Sequence, residues 1–358
     1  MKILFAVNSV GLGHATRCVP LIEGLIEKKN EVTILSSFRA LQFLKEEFGS
    51  KVTSYFDVKD YATIPELFAK GKFTINEFIV KSPKLMKDFL KEQRQFNKIS
   101  KKFKYDRIIS DSRFGIYTKG VPTFMLAHHI KLGIDFNAKL SETVTELFYY
   151  TMRHRYKNII IPDFKNNGIG GELCHNFRFF SGDYIKFIGM TSMVKKLNVP
   201  EDVDYFFSVS GPEPQRTVFE KKVLAAVPKI KGNIVITLGK PETKKYVKKG
   251  NVEIYDCLNR EKQTEYLNRA KLVITRSGYT TLMDLAELGK KALLIPTEAQ
   301  PEQEYLSEYH MKMKTWYSVE LKNLELTKDL KIAQAYDGYK AEHFTKKSVQ
   351  NFLRIVSC

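Results

Sequence analysis

The chain has 358 residues, with 58 Lys and Arg against 40 Asp and Glu, for a formal net charge of +18. That length exceeds what one hydrophobic core usually supports, and an apolar content of 43% is enough for two. No stretch approaches the roughly 18–20 apolar residues of a membrane span. Cys18, Cys174, Cys257 and Cys358 are scattered without CxxC or metal-ligand spacing, which excludes a zinc module and reads as reduced thiols of a cytoplasmic protein.

In chain order, Met1-Lys-Ile-Leu-Phe-Ala-Val carries one charge and a short apolar run ending at Asn8. It is too short for a secretory signal and predicts a first buried strand, Ile3 to Val7. The turn Gly11-Leu-Gly-His-Ala-Thr-Arg17 follows, then a helix to about Lys28 and a strand Val32 to Leu35. Glycines there permit a tight turn and close ligand approach. Thr16 replaces the third glycine of a dinucleotide fingerprint, and Ser36 and Ser37 stand where an acid would hold an adenosine ribose, which argues against NAD. The absence of Gly-Lys-Ser/Thr excludes a P-loop.

Further strands are predicted at Val52 to Tyr55, Arg107 to Ser110, Val121 to Leu126 and Asn158 to Ile161. Residues 59–104 are rich in helix formers. Within them Leu85, Phe89, Phe96, Ile99 and Phe103 recur near helical spacing, opposite Lys84, Lys87, Lys91, Arg94, Lys98, Lys101, Lys102 and Lys104. This predicts an amphipathic helix over about 81–107 with a cationic outer face suited to anionic headgroups. No zinc-finger, RNP or helix-turn-helix pattern accompanies it, so nucleic acid is not the expected partner. Asp111 and His128-His129 follow two strands, where ligands meet parallel sheets. The His pair lacks a third ligand at metal spacing, so no metal is expected.

Residues 191–202 lack an apolar periodic face and contain Pro200, which places a linker there between a first domain, 1–190, and a second, 203–339. The second predicts strands Tyr205 to Ser210, Ile234 to Leu238, Val252 to Tyr255, Lys271 to Thr275 and Ala292 to Ile295. Apolar runs alternating with helical patterns imply parallel sheets covered on both faces. The turn after the fourth of these strands is the most informative: Arg276-Ser-Gly-Tyr-Thr-Thr-Leu-Met-Asp284. Ser277 and Gly278 make a corner, and a helix predicted from Thr280 offers first-turn N–H groups with the hydroxyls of Thr280 and Thr281. Such a corner can hold a diphosphate. Asp284, one turn on, is placed to accept from the vicinal hydroxyls of a ribose. The segment Thr297-Glu-Ala-Gln-Pro-Glu-Gln-Glu304 returns to the same edge. Residues 340–358 predict a last helix.

This set of motifs resembles the donor half of GT-B glycosyltransferases, and above all the family of the transferase that adds N-acetylglucosamine to the lipid-linked peptidoglycan precursor, with its archaeal relatives. The resemblance implies two Rossmann-like, doubly wound parallel α/β domains facing across a cleft, with the last helix packing back on the first. It implies an inverting, metal-independent transfer from a UDP-sugar co-substrate, with no other cofactor. Asp284 would bind ribose, and Gln300, Gln303 and Glu304 the sugar, with Glu304 departing from the second Gln of the bacterial enzyme. Gly211, Arg216 and Arg276 would face the diphosphate, and Tyr255 would border the uracil. Gly11 and Gly13 would form the acceptor-side loop, with His14 or Asp111 as base and His129 nearby. The implied acceptor is a lipid-linked or other glycan, met at the inner face of the cell membrane. A UDP-N-acetylglucosamine 2-epimerase and a non-catalytic sugar-nucleotide or membrane-surface binding protein are the alternatives.

Overall fold

The computed structural model describes residues 1–61, 63, 75–132, 138–240, 242–340 and 343–357. It divides into two compact units, Met1–Met193 with Phe344–Cys358, and Val194–His343. Part of the helix-rich stretch expected over 59–104, and Cys358, lie outside the described residues.

Unit 1 runs β1 (Lys2–Val7), α1 (Gly13–Glu27), β2 (Glu31–Ser36), α2 (Phe38–Phe48), β3 (Ser54–Asp57), α3 (Ile75–Lys102), β4 (Arg107–Asp111), β5 (Thr123–Leu126), α4 (Ala138–Met152), β6 (Asn158–Ile161) and β7 (Ile185–Phe187). The seven strands are parallel, in the order β3-β2-β1-β4-β5-β6-β7. Every residue from Ile3 to Val7 is fully buried, as a strand covered on both faces requires. The C-terminal helix, Thr345–Ser357, lies against α1 and sends Phe352 and Val356 into the same core as Phe5 and Ile22. Gly24 permits that contact, since a Cβ there would fall 2.4 Å from Val349 Cγ1. α3 begins earlier than the apolar stripe alone suggests. It buries Leu85, Phe89 and Phe96 and leaves Lys84, Lys87, Lys91 and Arg94 exposed. Phe103, counted into the stripe, falls past the helix end and is exposed.

Unit 2 runs β8 (Val203–Ser208), α5 (Gln215–Ala226), β9 (Ile234–Thr237), β10 (Tyr246–Lys249), β11 (Val252–Tyr255), α6 (Arg260–Arg269), β12 (Ala270–Thr275), α7 (Tyr279–Leu288), β13 (Lys291–Leu294), α8 (Pro301–Lys312), β14 (Tyr317–Ser318) and α9 (Leu326–Gln334). The order is β10-β11-β9-β8-β12-β13-β14, parallel except for β10 against β11. Residues 195–201 are pinned to this unit: Leu197 N–H donates to Asn268 Oδ1 (2.9 Å), and buried Lys290 Nζ reaches Glu201 (2.5 Å). Three edge or near-edge strands, β7, β10 and β14, carry no sequence signal, because they are short or fully exposed.

Both sheets reverse their chain order beside their first strand, between β1 and β4 and between β8 and β12. At such a switch point the connections leave in opposite directions and open a crevice beyond the strand ends. Among the described residues no helix is long and apolar enough to cross a membrane.

Candidate functional site

In unit 1 the switch point gathers charge. Gly11 takes a left-handed turn (φ +77°), open to glycine at no steric cost, and Gly13 opens α1. His14 and Arg17 then stand one helical turn apart on one face. Asp111 ends β4 opposite Val7 of β1, so strand pairing brings it to the same edge. His14 Nδ1 lies 2.8 Å from Asp111 Oδ2. Arg17 Nη2 donates to Asp111 Oδ1, its Nη1 meets His128 Nδ1, and Nη2 also lies 2.8 Å from His14 Nδ1. Asp111 is fully buried and Arg17 nearly so, whereas the His14 side chain keeps 14% of its surface exposed.

Burial alone would push the Asp111 carboxyl up, but the Arg17 guanidinium charge, with the hydrogen bonds from His14 and Arg17, outweighs it and holds the group well below the usual carboxylate range. Asp111 is therefore an anion near neutral pH, shut away from solvent and suited to orient a ring rather than to take a proton. Burial, then the Arg17 charge, pushes His128 down, which keeps it neutral. His129, half-buried, joins the group through His128, its Nδ1 3.0 Å from His128 Nε2.

The loop after Asp111 is braced from behind. Arg113, fully buried, donates from Nε to Glu92 Oε1 (2.7 Å) and from Nη2 to Val58 O (2.6 Å), and its Nη1 pairs with Asp60 (2.9 Å). Glu92, on α3, also accepts from Tyr61 Oη (2.7 Å) and Gly115 N (2.8 Å). Gly115 can carry no Cβ here, since one would lie 2.5 Å from Phe89 O.

In unit 2 the turns after β8, β12 and β13 meet at one edge. Gly211 (φ +117°) sits beside Arg276 and Thr297. Arg276 is buried and spends its guanidinium on four backbone carbonyls, those of Ser210, Gln215, Ile295 and Pro296, at 2.9–3.3 Å. Burial lowers its pKa to about 10. Ser277 Oγ donates to Gln303 O (2.8 Å). Gln303 Oε1 accepts from Thr297 N (2.9 Å), its Nε2 donates to Gln300 Oε1 (2.6 Å), and Glu304 Oε1 accepts from Ala299 N (3.0 Å). Those three side chains thus brace the loop that leads into α8.

The corner itself is open. Gly278 caps α7 with an ordinary φ of −70°, so its conformation does not demand glycine. A Cβ there would meet Thr281 Oγ1 at 3.9 Å and nothing closer, which leaves room beside the backbone. Leu282 N donates to Gly278 O (3.0 Å), which places residues 279–281 in the first turn of α7, where main-chain N–H groups point toward the N-terminal end of the helix. Thr280, Thr281 and Asp284 are half-buried along that turn. Arg216 is held elsewhere, by Glu213, Glu220 (3.1 Å) and Leu238 O (3.0 Å). Tyr255 ends β11, two strands from β8, with its hydroxyl on Glu253 (2.9 Å) and Tyr266 (2.8 Å).

Sequence reasoning named His14, Asp111 and His129 but assigned nothing to Arg17. The i, i+3 spacing of His14 and Arg17 was the available signal. Arg113, Asp60 and Glu92 had none, being joined across 21 to 53 residues of chain.

Residues 1–154 match the family model described as Glycosyl transferase family 1, and residues 216–331 match the Glycosyltransferase family 28 C-terminal domain. Two relatives, each described as an uncharacterized glycosyltransferase, come from Methanosarcina mazei and Methanosarcina acetivorans. They are 24% and 25% identical, over 85% of this chain and 82% and 80% of their own lengths. Among solved structures, the glycotransferase of kitacinnamycin superposes with a TM-score of 0.64 at 12% identity, covering 99% of this chain and 94% of its own. Acinetobacter baumannii MurG gives 0.56 at 12% identity, with 100% and 99% covered. The spinosyn rhamnosyltransferase SpnG complexed with thymidine diphosphate gives 0.59 at 12% identity, with 100% and 95% covered.

Proposed function

Because this chain is a glycosyltransferase of the GT-B fold, we propose that it moves a hexose, N-acetylglucosamine in the reading the motifs favour, from a UDP-sugar to an acceptor hydroxyl with inversion. One observation carries the proposal: a buried carboxylate, locked as an anion by Arg17, lies 2.8 Å from the one ring nitrogen of His14 it can orient. A proton on Nδ1 leaves the Nε2 lone pair to take the acceptor's proton. The acceptor oxygen then attacks the anomeric carbon, and the bond to the diphosphate breaks. Unit 2 supplies the grip on the leaving group. With Arg276 and Arg216 committed to other partners, the first-turn N–H groups of α7 and the hydroxyls of Thr280 and Thr281 meet the growing diphosphate charge. Asp284 accepts from the ribose hydroxyls. A structural neighbour complexed with thymidine diphosphate supports a nucleoside diphosphate donor.

The exposed lysines of α3 favour an acceptor at an anionic lipid surface, each cation contributing roughly 1 kcal/mol. Co-sedimentation with phosphatidylglycerol vesicles, abolished by salt, is the expected behaviour, and binding equal to that of neutral vesicles would remove the lipid part.

The central test uses single-turnover kinetics with UDP-sugars and a lipid extract. His14→Ala should slow transfer by about 100- to 10,000-fold with UDP affinity unchanged. A wild-type rate would reject His14 as the base. Without acceptor the donor should stay intact, whereas conversion to another UDP-sugar would identify an epimerase instead.

A further inference from the structure

Arg17 sits at the junction of three polar side chains, none of them next to it in sequence. Its guanidinium holds five N–H donors and no acceptor, so each atom it bonds must offer a lone pair. His128 meets that demand with an unprotonated Nδ1, which puts its proton on Nε2, 3.0 Å from His129 Nδ1. Asp111 meets it with Oδ1, which leaves Oδ2 for the ring of His14 and, at 3.5 Å, for the thiol of Cys18.

His14 Nδ1 stands between a donor and an acceptor, 2.8 Å from Arg17 Nη2 and 2.8 Å from Asp111 Oδ2. It can satisfy one of them. A lone pair there would face a carboxylate oxygen across hydrogen-bonding distance in a dry interior, where an unmade bond to an anion is costly. An N–H there completes a charge-assisted bond, and Arg17 keeps its bonds to Asp111 Oδ1 and His128.

Resting on the reading of His14 as base, we infer that Arg17 is a positioning residue that sets the His14 tautomer: it holds Asp111 as a carboxylate, which keeps the His14 proton on Nδ1 and the basic lone pair on Nε2. Without the guanidinium, the buried Asp111 loses the partner that offsets its desolvation and takes up a proton. Its O–H then donates to Nδ1, the ring proton moves to Nε2, and the lone pair needed for proton abstraction is turned inward. Replacing the orienting carboxylate of such a histidine by a group that favours the wrong tautomer costs on the order of 10,000-fold in turnover elsewhere.

The test reads the ring directly, by long-range proton–nitrogen correlation on protein labelled with 15N-histidine, at pH 7.5, in the wild type, Arg17→Lys, Arg17→Gln and Asp111→Asn. Wild type and Arg17→Lys should show His14 as the Nδ1–H tautomer, and Arg17→Gln as Nε2–H. Arg17→Gln should lose about 100-fold or more in kcat with donor KM within about twofold, and Arg17→Lys should recover at least a tenth of the wild-type rate. An Nδ1–H ring in Arg17→Gln overturns the inference, as does a loss confined to KM. If Arg17→Gln fails to fold, Arg17→Lys decides: an Nε2–H ring, as in Asp111→Asn, overturns it, and an Nδ1–H ring supports it. A His14→Ala enzyme that turns over normally would sink the base assignment alone, because the tautomer is read in the resting protein.

Discussion

The two switch points differ in what their buried arginines face. Arg17 in unit 1 faces a carboxylate and an imidazole; Arg276 in unit 2 faces four backbone carbonyls. Both side chains are almost wholly buried. A guanidinium against an ionisable group biases a protonation state, which is the role proposed for Arg17. Set against carbonyls it ties three loops together, and any anion must be met by main-chain N–H groups instead. The residue type is the same, and the partner decides the role.

The largest effect that tests this contrast is on stability. Arg276→Ala should destabilise unit 2 by about 3–5 kcal/mol, because buried carbonyls lose charge-assisted donors. Chemical denaturation measures it. Unchanged stability with weakened UDP binding would return Arg276 to the diphosphate and erase the contrast.

Asp284→Ala should weaken UDP binding by about 1.5–3 kcal/mol, the worth of hydrogen bonds to a charged group. Calorimetry showing wild-type affinity would take the residue out of the site.

A pH titration sharpens the other half. The folded-state pKa of Asp111 is depressed, so its contribution is present above the unfolded value of about 4 and fades as pH falls below it. The stability gap between wild type and Asp111→Asn should therefore be widest near neutrality and close in acid. A constant gap would mean that the Arg17 pairing does not hold the carboxyl down.

Gly278→Ala should be the mildest for folding, about 1 kcal/mol or less, since the added carbon meets little. UDP affinity should nevertheless drop, if a diphosphate comes as close to that backbone as proposed. Equal affinity would free the glycine from any ligand role.

Much of this was legible from residues alone. Gly11-Leu-Gly-His14 and Arg276-Ser-Gly278 each stand between a buried apolar run and a helix, and a parallel α/β sheet with that rhythm places both turns at strand ends. The two-sheet fold followed from the continuous apolar strands, which local composition encodes. The strands β7, β10 and β14 escaped because sheet edges need no apolar run.

What the sequence determined, then, was the fold class and which glycine turns stand at strand ends, since strand burial and turn formation depend on neighbours a few residues away. The tertiary structure alone decided partnership. Arg17 and Asp111 are 94 residues apart, and Arg276 reaches carbonyls 19 to 66 residues away. Whether a buried guanidinium tunes an imidazole or staples a loop depends on the group that long-range packing delivers to it, and no local pattern records that group.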